Sequence, residues 1–180
     1  MNRAVLALFG TVLYVATVIT SSAIEALVLD RDVVAEPDAG TLLGPAMVVS
    51  AGLVVLLTLF RAAALADAAE GTAPEVRGTF PAQPASPVRA ARTDDDAPPH
   101  DGRAPRLLAA ALTAAVLVWA TMLVVGGAGY ALTRGEAVWA LLFASRYALS
   151  PFVLGAAVLA ALVVAGTLAV GRAEAGRRSP

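Results

Sequence analysis

Residues 61–106 read RAAALADAAEGTAPEVRGTFPAQPASPVRAARTDDDAPPHDGRAPR, and this polar stretch decides how the rest of the chain folds. It carries Asp94-Asp95-Asp96 and seven of the eleven prolines, with no long apolar run. Such a segment does not enter hydrocarbon. The apolar halves on either side therefore each return to the same face of a membrane, and an arginine, Arg61 or Arg106, marks each edge of the divider.

The flanking composition agrees. Hydrophobic residues make up 58% of the 180 positions and charged residues 15%, with a mean hydropathy of +0.75. These residues come in blocks, which excludes an ordinary soluble domain and points to an integral membrane protein of one compact bundle. The chain has no cysteine, so thiolate catalysis and cysteine-ligated metals are excluded. It has no lysine either; all thirteen basic residues are arginine, which together with the alanine content reads as the mark of a GC-rich genome.

Four spans of about 20 residues follow. Ala4–Leu29 is apolar apart from Glu25. A cleavable signal peptide is the rival reading of this start, but the run exceeds a signal's apolar core. Thr41–Leu65 is the second span, opened by Gly44-Pro45, and it completes a first hairpin over residues 1–66. An acidic loop, Asp30 to Gly40, joins the two. Residues 67–105 read as a disordered linker. Leu107–Leu132 is the third span.

Residues 137–171 hold one charge, Arg146, and as one helix they would be about 52 Å long, against a hydrocarbon core of about 30 Å. Ser150-Pro151 is the natural break. The expectation is an amphipathic segment over 137–149 that lies in the interface or dips in shallowly, anchored by Trp139, Arg146 and Tyr147, and a fourth span over 151–170 that completes a second hairpin over 106–171. The fold class is then all-α, a four-helix transmembrane bundle of two hairpins, with a basic tail at 172–180.

Arginine placement gives orientation. The side shared by the termini and the linker holds ten of the thirteen arginines, and the other holds Arg31, Arg134 and Arg146. The positive-inside bias puts termini and linker in the cytoplasm of a cell-membrane protein. Val12–Thr17 resembles Val116–Thr121, and Gly44-Pro45 resembles Ser150-Pro151. Either the two hairpins are a parallel repeat, or spans rich in Ala, Val and Leu align by chance.

The polar residues of the spans are few. Gly10, Tyr14, Thr17, Ser21 and Glu25 recur at steps of four, three, four and four, one stripe along the first helix. This stripe either faces other helices, where hydroxyls bond across the interface, or forms a polar path ending at Glu25. The reading favoured for Glu25 is that it reaches the outer headgroup region, five residues before Asp30. An ion pair from Glu25 to Arg146 is a further candidate, holding the amphipathic segment against the first span. Gly126, Gly127 and Gly129 match no phosphate-binding loop and suit close packing. His100 is the only histidine and lies in the linker with the acidic triplet, neither at a recognisable ligand spacing. No nucleophile–base constellation appears, so no catalytic, cofactor or metal residue is assigned.

The span pattern, with the stretches Asp30 to Met47 and Ser145 to Leu154, resembles small uncharacterised four-span membrane proteins of high-GC, actinobacterial-type bacteria. That resemblance implies a fold and a compartment but no reaction. The function expected is that of a non-enzymatic scaffold or accessory subunit acting through helix packing. The alternative is a small transporter or channel along Tyr14, Thr17 and Ser21 to Glu25. The partners expected are the lipid bilayer and a second copy or another membrane protein, with no nucleic acid and no cofactor.

Overall fold

The computed structural model describes residues 3–30, 42–71 and 104–177. The central part of the linker, with His100 and Asp94-Asp95-Asp96, and most of the acidic loop lie outside the described residues. Five helices account for nearly all of what is described, with no strand among these residues: α1 (Arg3–Leu29), α2 (Leu43–Gly71), α3 (Ala104–Arg134), α4 (Val138–Tyr147) and α5 (Pro151–Arg177). Four of them, α1, α2, α3 and α5, are long and apolar enough to cross a membrane.

Each boundary has a local cause. Asp30 takes a left-handed φ of 46° just after α1, a conformation that Asp tolerates better than most residues. In α2, Ala46 N–H donates to Leu42 O at 3.0 Å, so Pro45 falls within the first turn, where its missing N–H costs no helical bond. The helix then runs past Leu65 to Gly71, so the first residues assigned to the linker are helical. Gly135, at φ 76°, ends α3 by donating its N–H to Ala131 O at 2.9 Å, which is the left-handed C-terminal cap that glycine favours. At the Ser150-Pro151 break, Ser150 caps α5. Its Oγ accepts from Val153 N–H at 3.3 Å and its carbonyl from Leu154 N–H at 3.0 Å, with Pro151 at the first helical position.

Close packing runs round the ring α1–α2–α3–α5, leaving α1 and α3 on one diagonal and α2 and α5 on the other. Successive long helices are antiparallel. Gly10 and Val15 of α1 lie against Leu59 and Gly52 of α2, Gly126 and Gly129 of α3 lie against Met47 and Leu43, and Gly171 of α5 lies against Leu6. The start of α1, the end of α2, the start of α3 and the end of α5 therefore share one end of the bundle. There Arg3 donates to Asp67 Oδ1 at 2.7 Å, tying α1 to α2. With side chains 26% and 66% exposed, this pair contributes at most about 1 kcal/mol.

The core is a single apolar cluster. Tyr14 and Val18 of α1, Met47, Ala51 and Val55 of α2, Ala114, Val118 and Met122 of α3, and Val153, Ala160 and Val164 of α5 are almost wholly buried. Large apolar residues such as Phe9, Leu57, Leu117 and Leu162 cover the outside. That is the surface a helix bundle presents to lipid rather than to water.

The segment expected to lie in the interface or dip in shallowly forms α4, and its seat is on α3. It packs antiparallel along α3: Trp139 and Phe143 meet Tyr130, Phe143 meets Gly126, Ala140 meets Gly127, and the carbonyl of Ala148 accepts from the indole N–H of Trp119 at 2.9 Å. Trp119 lies near the middle of the apolar stretch of α3. Phe143 and Tyr147, one of the expected anchors, are core residues. The physical reason is the glycine patch on α3, which removes the side chains that would hold α4 away.

Candidate functional site

The polar stripe of α1 begins where the bundle is tightest. A Cβ on Gly10 would stand 2.8 Å from Thr167 Oγ1 of α5 and 3.2 Å from Leu59 Cδ1 of α2, so only glycine permits the approach of three helices at this point. One turn further, Tyr14 is 0% exposed and projects into the centre of the bundle. The register that sets Gly10 against Leu59 places Val55 of α2 at the level of Tyr14. The Tyr14 hydroxyl makes no hydrogen bond to any described residue.

Beyond Val18 the inward face of α1 is less covered. Thr17 is half-buried, Ser21 is exposed and Glu25 is half-buried. Thr17 donates its hydroxyl proton to Leu13 O of its own helix at 2.7 Å, and so does not bond across the interface. The same holds for Thr11 to Ala7 O, Thr20 to Ala16 O, Thr58 to Val54 O, Thr113 to Ala109 O and Thr167 to Val163 O, at 2.6–3.0 Å. Bonding back to the preceding turn is how a hydroxyl is satisfied where no water reaches it.

At the other end of the stripe, Glu25 and Arg146 form no ion pair with each other among the described residues. Arg146 is exposed on α4. The structure thus brings Gly10 and Tyr14 into the core together and leaves Ser21, Glu25 and Arg146 outside it.

The interactions that organise this end of the bundle lie elsewhere, on α3 and α4. The Arg134 guanidinium stands 4.8 Å from the Trp139 ring centroid and 5.6 Å from that of Tyr130, and donates to the Tyr130 hydroxyl at 3.3 Å. Tyr130 meets Trp139 edge-on at 6.0 Å, and Phe143 stacks on Tyr147 at 4.4 Å. The sequence signal for this cluster is the four-residue spacing of Trp139, Phe143 and Tyr147, which sets three rings on one face of a helix. Opposite it, Gly126 and Gly127 form the seat. A cation–π contact of this kind contributes about 0.5–1 kcal/mol at an exposed site. The cluster works as a clasp across the α3–α4 turn and contains no nucleophile with a base beside it. Among the described residues no three His, Asp or Glu side chains converge as metal ligands would.

No curated protein and no solved structure matches the chain. A family model does match it, over residues 1–76 and 97–180, a range that takes in all five helices and omits only the middle of the polar linker. The chain belongs to the family of unknown function DUF6121.

Proposed function

We propose that this is a multi-pass cell-membrane protein with its termini and central linker in the cytoplasm, acting as a non-enzymatic scaffold or accessory subunit through the outer faces of its helices. The observation that carries this reading is the interior. Among the described residues its buried side chains are apolar but for Thr11 and the hydroxyls of Tyr14, Tyr130 and Tyr147, and Thr11, Thr17, Thr20, Thr58, Thr113 and Thr167 bond back to their own helices. A conducting path needs a chain of polar groups or water from end to end. Along α1 the polar stripe leaves the core after Tyr14, because Ser21 is exposed and Val18 is buried between them.

The cytoplasmic orientation rests on two facts together. The bundle gathers the start of α1, the end of α2, the start of α3 and the end of α5 at one end, and that end carries the arginine-rich segments. The linker supplies a long polar tether on the same side, suited to a docking role.

The test is purification in mild detergent with mass measurement, alongside flux in liposomes. The reading expects a self-complex or a co-purifying membrane protein, and no flux above that of empty liposomes. A clean monomer with cation or proton flux that falls in Glu25→Gln would replace it with the transporter reading.

A further inference from the structure

The hydroxyl of Tyr14 is fully buried and has no partner among the described residues. A phenylalanine would fill the same volume without leaving a polar atom unpaired, so packing alone does not account for a phenol at this position. Long side chains on a helix lean toward its N-terminus, which directs the Tyr14 ring back toward the turn of Gly10 and Thr11. There α5 closes on α1, with Thr167 Oγ1 2.8 Å from where a Cβ on Gly10 would stand. Thr11 is buried in the same turn. Thr11 and Thr167 donate their protons to Ala7 O at 3.0 Å and Val163 O at 2.6 Å, which leaves two hydroxyl oxygens able only to accept.

This part of the interior therefore offers one O–H donor and two acceptor oxygens with no bond among them. One water molecule balances the set. Such a water would accept from Tyr14 and donate to Thr11 and Thr167, the three bonds typical of a buried water. A cation suits the set poorly, since Tyr14 presents a proton and the nearest carboxylate of α1, Glu25, is three turns away, about 16 Å along the helix. We propose that α1 and α5 are joined through a buried water site formed by Tyr14, Thr11 and Thr167.

Thermal unfolding of the full chain in mild detergent, as wild type, Tyr14→Phe, Thr167→Val and the double variant, tests this. Each single variant is expected to lower the midpoint by about 2–4 °C. The double variant should lose no more than the larger single loss, because both changes remove the same link. Water-edited solid-state NMR on protein with labelled tyrosine rings should show transfer from water to Tyr14, lost in Thr167→Val. A higher midpoint for Tyr14→Phe, losses that add in the double variant, or no transfer to the Tyr14 ring would overturn the proposal.

Discussion

The indole N–H of Trp119 donates to the carbonyl of Ala148 at 2.9 Å, joining the middle of α3 to the last turn of α4. This bond satisfies one of the carbonyls that the end of a helix leaves without an intrahelical donor. Trp119→Phe keeps most of the apolar contact and removes the donor. The expected cost is about 1 kcal/mol, and α4 should loosen at its C-terminal end. Maleimide labelling of an Ala144→Cys reporter measures this: the rate should rise in Trp119→Phe, and an unchanged rate would show that the aromatic stack alone holds the helix.

The glycines of the spans separate into two kinds. A Cβ on Gly126 runs into the Phe143 ring and one on Gly10 into Thr167, whereas one on Gly155 meets nothing within 4 Å. Gly126→Ala and Gly10→Ala should each destabilise the bundle by about 1–3 kcal/mol through overpacking, and Gly155→Ala should be neutral or slightly stabilising. Thermal midpoints of the three variants in one detergent decide it. Equal behaviour at all three positions would contradict the register of α1, α3 and α5.

Glu25 and Arg146 make no ion pair with each other. Glu25→Gln should therefore leave α4 as firmly seated as before, with unchanged protease and labelling accessibility around Arg146. By contrast Arg134→Gln removes the cation over Trp139 and Tyr130 and should increase that accessibility. The reverse ranking of the two variants would restore the ion pair as the organising contact.

Four apolar runs divided by 61–106 give four long helices because chain in hydrocarbon has few other ways to satisfy its backbone. The break at Ser150-Pro151 was readable because proline cannot donate and serine caps. The partner of α4 was not readable. Trp139 and Tyr147 mark a short aromatic helix, but Gly126 and Gly127 become its seat only once α3 is folded beside them. The stripe on α1 was half readable for a related reason. Helical spacing fixes the face on which Gly10, Tyr14, Ser21 and Glu25 lie, but it does not say how far along that face the neighbouring helices stay close. Coverage ends after Val18, and Ser21 is left exposed.

Orientation yields to an impermeant maleimide on intact cells. Leu132→Cys, at the exposed end of α3 beside the turn at Gly135, should label from outside. Ser86→Cys in the linker and Ala173→Cys near the end of α5 should label only after permeabilisation. Labelling of the linker from outside would invert the assignment.

If the outer faces of the helices do the work while the interior is closed, neighbours are held at those faces. In-cell photo-crosslinking from exposed apolar positions, with Phe9, Leu117 and Leu162 each replaced in turn by a photoreactive residue, tests it most directly. Discrete protein adducts are expected from at least one face, either a self-dimer or a single membrane protein, and none from Val118 in the core. Adducts to lipid alone from every exposed face, with the protein at normal abundance, would contradict it.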